Sequence, residues 1–575
     1  MIVLGINGLG VLPSASILVN GKIIAFVEEE RFTRVKGSEG LMPKLSVEYC
    51  LKAANIKLSE IDYIAFGWDA KLYSYYMPFF FLKQFLKNYK KSNTSGGVKR
   101  VLSELWKYHP IKVKKDIKRM LIDIGLDEKT PPIRFVSHHL SHAASSFYCS
   151  GFEESLILII DGSGEYKSTS LFQGKGLQLK ELQSFDLPNS IGWFYQTITE
   201  YLGFKPNHHE GKLMALAAYG QKNELVFEKM NQILKSDLGQ YHFDSQYSFL
   251  GSHSKGKVFS DELEELLGPA RSSLEEITQY HKDIAYATQY FLEKACLDLI
   301  LPWIDHQDFS GNLCIAGGVA LNCKMNGVLA EQAQIKKIYV PPHSSDNGTA
   351  LGAAFCVSIE NKDSSFTEMK NAYWGPQYDQ AEILKTLKSE NVSYQKEVDI
   401  SQTVANLLHE NKVIAWFQGR MEVGSRALGN RSILANPSNI LIRDFINQKI
   451  KNRETWRPFA ASILEGYKEK YLVNSKDSPF MTLAFTTTKE FQKLAPAAIH
   501  IDGTTRPQIV NFEENPLYYQ LIEKFGNLSG VYALLNTSFN LKEEPIICTP
   551  QQALNTFLSS EIDYLVLGDY IISKK

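Results

Sequence analysis

The chain has 575 residues, of which 44% are hydrophobic and 22% charged, and its formal net charge is −1. That is ordinary globular composition with length for two to four domains, and it excludes a chain-wide field that would draw nucleic acid or acidic lipid. The seven cysteines are odd in number, scattered and without a C-x-x-C pair, which excludes a disulfide scaffold and fits reduced thiols in a cytoplasmic protein.

Residues 2–6 read as a strand, not a signal peptide, because no basic region precedes them and glycines soon follow. Gly5, Gly8 and Gly10 lead past Ser14 and Ser16 to a second strand at 17–20. Asn20-Gly21 then predicts a two-residue hairpin into a strand at 22–28. Such a glycine turn either brings backbone N–H groups to a phosphate or is a plain hairpin. A helix is expected at 45–54 and a strand at 61–68. Residues 71–125 are aromatic first and then basic, and predict a helical insertion with a loop at 92–97. Its apolar run at 77–86 is broken by Lys83 and Gln84 and is too short to cross a bilayer, so no membrane partner is expected. Its basic face is expected to be solvated.

The stretch 136–165 holds the densest chemistry. His138 and His142 are four apart, so a helix would project both imidazoles from one face, as a divalent metal requires. The bland alternative is a helix with ordinary buried histidines. Residues 156–160 read as a buried strand ending in Asp161-Gly162-Ser163-Gly164, a position where carboxylates face phosphate or metal. Further on, a helix at 191–202 precedes H-H-E-G-K-L-M at 208–214, which enters a helix expected to be capped by Gly220. A long helix follows at 277–304. A strand at 313–316 opens onto Gly317, Gly318 and Asn322, a turn that admits close approach of a planar ligand or phosphate. A strand at 338–340 leads to Asp346 and a small-residue helix at 349–356. Strand, glycine loop and helix thus recur four times, which predicts a duplicated α/β fold closing on a nucleotide.

Residues 361–376 read as a linker, and 377–575 as a second α/β domain. There a strand at 413–417 runs into a glycine-rich turn carrying Arg420, Arg426 and Arg431. Lys451, Arg453, Arg457 and Arg506 follow, and Asn536-Thr537-Ser538 add polar groups. Guanidinium forks match phosphate and carboxylate, so these residues predict anion binding; the alternative is surface salt bridging.

The motifs H-H-L-S-H-A-A-S-S-F, D-G-S-G-E, H-E-G-K-L-M, G-G-V-A-L-N, D-N-G-T-A-L-G-A-A, G-R-M-E-V-G-S-R-A-L-G-N-R-S-I-L, R-P-F-A and L-N-T-S-F-N together resemble the nodulation-protein and antibiotic O-carbamoyltransferase family over nearly the whole chain. The resemblance implies an actin-like ATPase fold, like that of tRNA threonylcarbamoyl-transferases, over residues 1–360, and a YrdC-like twisted-sheet domain over 377–575. It implies that carbamoyl phosphate and ATP form carbamoyladenylate, whose carbamoyl group passes to a hydroxyl of a small-molecule acceptor such as a natural product or sugar. His138, His142 and Asp346 would bind a divalent metal, iron in characterised relatives, with Asp161 as a fourth ligand or behind the ligands; magnesium would accompany ATP. His138, Asp161, Lys212, Arg426 and Lys451 would act in catalysis. Gly8, Ser14, Ser16, Gly162 and Gly164 would sit near phosphates, and Gly317, Gly318 and Asn322 would flank adenosine. Arg420, Arg431, Arg453, Arg457, Arg506, Asn536, Thr537 and Ser538 would hold carbamoyl phosphate and ATP. Ser425 stands where the family usually has proline, Leu12-Pro13 where it has His-Asp, and Ala215 replaces a common glycine. A homodimer is compatible with all of this. The competing readings are a tRNA-modifying enzyme, which near-neutral charge disfavours, and a sugar kinase or non-catalytic module, which would leave the arginine turns without a purpose.

Overall fold

The computed structural model describes residues 1–87, 94–126, 130–249, 257–363, 368–390 and 392–574. It divides into two compact units: residues 1–24 with 39–368, and residues 25–38 with 369–575. The division therefore falls at 368, inside the expected linker, and the segment Ala25–Ser38 folds with the second unit rather than the first.

The first unit is built on two five-stranded sheets. Strands β1 (Ile2–Asn7), β2 (Ser14–Val19), β3 (Lys22–Glu28, of which residues 25–28 group with the second unit), β4 (Tyr63–Phe66) and β5 (Ile133–Phe135) lie in the order 3-2-1-4-5. Strands β6 (Glu154–Ile160), β7 (Lys167–Lys175) and β8 (Gln178–Asp186) form the second sheet with β11 (Asn312–Ala316) and β12 (Lys337–Tyr339), after a separate hairpin of β9 (Leu234–Asp237) and β10 (Gln240–Phe243). The second sheet's order, 12-11-6-7-8, repeats the first one's: a strand antiparallel to its successor on one side and parallel to later strands on the other. The duplicated α/β fold expected from the recurring strand–glycine–helix units is present. Asn20 and Gly21 both take positive φ, 49° and 75°, as the two-residue turn between β2 and β3 demands.

Parallel pairing of β6 with β11 sets Ile159 opposite Ala316, so both strands end at one level. Asp161 and Gly317-Gly318 are thereby neighbours: a Cβ on Gly318 would lie 3.1 Å from Asp161 Oδ1. Gly317 has φ of +94°, and a Cβ there would meet the Ile160 carbonyl at 2.2 Å, so only glycine fits this turn.

The insertion consists of helices Ala70–Lys87, Thr94–Lys107 and Pro110–Asp123. Part of the loop expected at 92–97 falls outside the described residues, and from Thr94 onward the chain is helical. Gly96 and Gly97 fall in that helix's first turn, where the backbone N–H groups need no intrahelical acceptor. The helix Glu210–Ala217 ends on Ala218, not on Gly220. Gly220 instead permits a close crossing, since a Cβ on it would meet the Lys282 carbonyl at 2.1 Å.

The second unit centres on an eight-stranded mixed sheet. Its strands are β13 (Gln395–Lys396), β14 (Ile414–Phe417), β15 (Arg431–Ala435), β16 (Ala460–Leu464), β19 (Gln508–Val510), β20 (Ala533–Ser538), β21 (Tyr564–Leu567) and β22 (Tyr570–Ser573), in the order 13-22-21-14-15-20-16-19. A short pair, β17 (Phe485–Thr486) with β18 (Thr504–Thr505), stands apart. Phe417, Ile433, Leu535, Phe557 and Leu565 share one buried apolar cluster of this unit.

Candidate functional site

The helix His138–Phe147 is buried along almost its whole length. Its serines are tolerated there because their hydroxyls bond back to the preceding turn: Ser141 Oγ donates to the Ser137 carbonyl at 2.9 Å, and Ser145 and Ser146 donate to that of His142 at 3.0 and 3.1 Å. The helix Asn347–Glu360 crosses it at very short range. A Cβ on Gly352 would sit 1.7 Å from the Ser141 carbonyl oxygen, so the crossing exists only with glycine. That contact carries Asp346, at the head of the second helix, to the histidine face of the first.

Four side chains converge there. His138, His142, Asp161 and Asp346 each offer one ligand atom, all within 4.8 Å of one another. The two Nε2 atoms are 3.2 Å apart, and Asp161 Oδ2 lies 3.3 Å from that of His138 and 3.2 Å from that of His142. Asp346 Oδ1 lies 3.7 and 4.0 Å from the same two nitrogens. Nitrogens bound to one metal at about 2.1 Å stand roughly 3 Å apart, so the pair is already at bite distance. A set of two imidazoles and two carboxylates suits a first-row transition ion such as iron or zinc better than magnesium, which takes oxygen. The residues present therefore fit a metal.

The electrostatics agree. Burial works against charge on His138, but the Asp161 hydrogen bond and the Asp346, Asp161 and Glu165 charges outweigh it and hold the imidazole at about 9. His142 is lowered, first by burial and then by His138. Asp161 is depressed although burial opposes it, because both histidines hydrogen-bond it. Asp346 is pushed up to about 7 by burial and then by the Asp161 charge. A buried and a partly buried carboxylate facing two imidazoles are a cation-seeking arrangement.

Glu165 and Trp68 complete the surroundings, and neither was singled out from sequence. Glu165 Oε1 accepts the backbone N–H of His138 at 2.8 Å and that of Asp69 at 2.6 Å, tying the start of the histidine helix to the loop after β4. The signal for it was the carboxylate closing D-G-S-G-E. Trp68 sets its ring edge-on to His138 with centroids 5.1 Å apart, and stacks on Tyr108 of the insertion at 4.9 Å.

Other residues expected around this centre do different work. Ser14 and Ser16 are fully buried in β2, and the Ser14 hydroxyl donates to the Asn347 carbonyl at 2.8 Å. Both lie within a strand, not in the loop the sequence suggested, and Ser16 Oγ has no hydrogen-bond partner. Gly8 packs toward Met42 and Pro43, where a Cβ would meet them at 3.0 and 3.2 Å. Gly162 donates its N–H to Asp161 Oδ1 at 2.8 Å, and Gly164 lies against His139. Asn322 caps the helix Cys323–Ala330 through the Met325 N–H and exchanges amide hydrogen bonds with Gln289 at 2.9 and 3.1 Å. Lys212 sits over the Phe204 ring at 5.8 Å.

The second unit gathers cations. Lys451 is buried and donates to Ser538 O, to Asn540 O at 2.9 Å and to Asn540 Oδ1 at 2.7 Å. Arg453 donates through Nε to Asn447 Oδ1 at 2.6 Å, while its Nη2 and the Nε of Arg506 are buried donors with no hydrogen-bond partner. Burial first, and then the Arg457 charge, push Arg453 down to about 9, with Glu454 opposing and Arg506 adding a smaller push. Burial, then Arg453, Lys36 and Arg457, hold Lys451 well below its usual value. Lys36 comes from Ala25–Ser38, 415 positions away in sequence, and nothing local marked it. Mutually repelling cations with unspent buried donors are the signature of an anion site.

The arginine turn itself divides. Arg431 is fully buried, lies over the Phe417 ring at 3.7 Å and donates to the carbonyls of Gln418, Asn430, Pro376 and Gly419. Through its Nη atoms it staples the turn together. Arg420 donates to the carbonyls of Trp374 and Gly375 and lines a cleft of about 450 Å³ with Asn371, Tyr373 and Asn515. Lys451, Arg453, Arg457 and Arg506 are not in that lining. Arg426 is half-buried in the loop between Gly424 and Gly429, whose far side Glu422 Oε1 holds by accepting the N–H groups of Leu428, Asn430 and Arg431 at 2.8–3.0 Å. Asn536 Nδ2 donates to Ala427 O, Ser462 Oγ and Gln508 Oε1, while its Oδ1 has no hydrogen-bond partner, and Thr537 pairs with Ile433 between β20 and β15. Of that tripeptide only Ser538 touches the cation cluster.

Comparison with known proteins gives the class. Residues 4–355 match the model of the carbamoyltransferase N-terminus and 405–574 that of the carbamoyltransferase C-terminus, so the chain belongs to the carbamoyltransferase family and is a group-transfer enzyme. An uncharacterized protein of Synechocystis is 36% identical over all of this chain and 96% of its own length. Nodulation protein NolNO of Sinorhizobium fredii is 35% identical over 98% of this chain and 79% of its own. Nodulation protein U of the same species is 29% identical over 72% and 74%. Among solved structures, component A of (R)-2-hydroxyglutaryl-CoA dehydratase from Acidaminococcus fermentans aligns over 63% of this chain and 98% of its own at 15% identity and a TM-score of 0.33. HypF of T. kodakarensis aligns over 63% and 48% at 13% identity and a TM-score of 0.31.

Proposed function

We propose that the protein is an ATP-dependent O-carbamoyltransferase that forms carbamoyladenylate from carbamoyl phosphate and ATP and passes the carbamoyl group to a hydroxyl of a small molecule. The observation that carries this is the pairing, in one carbamoyltransferase chain, of a cation-seeking cluster in the first unit with an anion-seeking cluster in the second.

Water cleaves carbamoyl phosphate to carbamate and phosphate; carbamate is a poor electrophile, and its attack through oxygen on the α-phosphorus of ATP, which expels pyrophosphate, brings two anions together. Lys451, Arg453, Arg457 and Arg506 offset that repulsion, and the unspent Arg453 Nη2 and Arg506 Nε donors meet phosphoryl oxygens. Phosphate and pyrophosphate leave. In the first unit His138, His142, Asp161 and Asp346 would hold a divalent metal, proposed to be iron. When bound it supplies a Lewis acid that polarises the carbamoyl carbonyl. Glu165 fixes the height of the histidine helix, and Trp68 shields one side of His138 from water. The domain roles proposed are carbamoyl transfer in the first unit and adenylate formation in the second.

The test separates the two. His138→Ala is expected to lose bound metal in elemental analysis and to lose carbamoylated product, yet to keep pyrophosphate release driven by carbamoyl phosphate. Arg457→Ala is expected to do the reverse, failing with carbamoyl phosphate and still transferring from supplied carbamoyladenylate. If both variants lose both reactions, one composite site replaces the two-site scheme; wild type that is metal-free and fully active removes the metal.

A further inference from the structure

We propose that the outer face of the helical insertion docks on an anionic membrane surface. The helix Ala70–Lys87 is apolar on two sides. One stripe, Tyr73, Met77 and Phe81, is buried with 5–6% exposure. The other, Tyr75, Phe79, Leu82 and Leu86, runs at spacings of four, three and four along one face, and its members are 67%, 72%, 56% and 67% exposed. A helix that is hydrophobic all round is stable in water only when both sides are covered. Large apolar groups also stand out from the rest of the insertion, with Trp106 at 54% and Ile111 at 68% exposure.

The charge identifies what covers this face. Residues 71–125 carry thirteen Lys and Arg against three Asp and Glu, in a chain whose net charge is −1, so the remainder of the chain is net negative. Lys71 and Lys83 on the first helix, Lys99 on the second, and Lys114, Lys115 and Lys118 on the third are exposed. Exposed aromatic and leucine side chains together with exposed lysines in one insertion are the composition of an element that lies in a lipid interface over acidic headgroups. A second copy of the chain would bring two strongly basic insertions face to face, which opposes self-association here. Nucleic acid would use the lysines but not a four-residue apolar stripe. No described helix is long and apolar enough to cross a membrane, so the docking is superficial.

The same helix reaches the chemistry from its inner side: Tyr73 packs against Trp68 with centroids 5.7 Å apart, and Trp68 against His138. The docked face therefore lies about one helix diameter, roughly 10 Å, from the aromatic wall of the histidine–aspartate cluster. The inference holds whether or not the chemistry is carbamoyl transfer.

The experiment is cosedimentation of the full chain with phosphatidylcholine vesicles, with and without phosphatidylglycerol. Wild type is expected on the acidic vesicles only, and to be released by salt. The triple variant Phe79→Ser, Leu82→Ser, Leu86→Ser is expected to bind at least roughly tenfold more weakly. Lys114→Glu, Lys115→Glu, Lys118→Glu is expected to lose on the order of a hundredfold. All six positions are exposed, and unchanged melting of both variants is the control for folding. Wild type that stays in the supernatant overturns the proposal, as does binding indifferent to both variants. Absence of vesicle binding together with RNA binding lost in the charge variant assigns the face to nucleic acid instead. A concentration-dependent dimer lost in the serine variant, without vesicle binding, assigns it to a second copy.

Discussion

The two clusters solve opposite problems. In the first unit unlike groups meet: two imidazoles lie within 3.3 Å of one carboxylate oxygen, and a second carboxylate stands just beyond. Each side chain there offsets part of its neighbours' burial cost. In the second unit like groups meet, and Lys451, Arg453, Arg457 and Arg506 repel one another with buried donors left over. The difference teaches that conspicuous charge in a glycine-rich turn does not by itself make a site. Arg431 turns both of its Nη atoms to main-chain carbonyls of its own turn, whereas the spare donors of Arg453 and Arg506 lie among other cations.

The largest expected effect tests the self-satisfied character of the first cluster. Asp161→Ala in chelator-treated protein strands two buried imidazoles without their common acceptor. Breaking a buried ionic partnership costs about 3–5 kcal/mol, so a large fall in Tm is expected. Unchanged melting would mean that the four residues are not coupled in the metal-free protein. The corresponding change in the second unit has the opposite sign. Arg453→Ala removes a cation from a repelling group, so the ligand-free variant should melt at or slightly above wild type. Its affinity for inorganic phosphate, read by calorimetry, should fall by about tenfold, or about 1.4 kcal/mol. If the variant is destabilised and still binds phosphate normally, the cluster is structural and the contrast fails.

Much of the first site was legible because its determinants are local. The four-residue spacing of His138 and His142, the strand ending at Asp161 and the small-residue helix after Asp346 are each visible in one short window. Their convergence follows from the strand–glycine–helix repeat. Gly352 was legible only as a small residue; that it admits a carbonyl at 1.7 Å from its would-be Cβ is a tertiary fact. In the second unit the cationic residues were visible in the sequence, but not how each is bonded. Window patterns cannot tell a guanidinium whose Nη atoms are turned to main-chain carbonyls, as in Arg431, from one set among other cations, as in Arg453. Lys36 could not be found at all, since its partners lie more than four hundred positions away. Ser14 and Ser16 looked like loop hydroxyls because β2 begins earlier than the apolar run suggested, at Ser14 itself.

The smallest effect is a pH dependence, and it separates an anion site from a merely crowded one. Burial, and after it the Arg453, Lys36 and Arg457 charges, hold Lys451 in the folded protein well below its usual value. In the unfolded chain the same amine titrates near 10.4. Between those two values the unfolded chain binds more protons, so stability rises with pH through that window and is lost as pH falls through the folded value. A bound phosphate faces the ammonium with negative charge, lifts the folded value and narrows the window. Wild type without phosphate should therefore gain melting temperature relative to Lys451→Met as pH is raised from neutral toward 10, because the variant has no amine to titrate. Added phosphate should flatten that difference. The measurement is the Tm difference between the two proteins across pH, with and without phosphate. A difference that is flat from the start would show that Lys451 keeps its ordinary proton affinity in the fold. A sloping difference that phosphate leaves unchanged would show that the strained amine is not where the anion binds, and the second cluster would lose its most buried member.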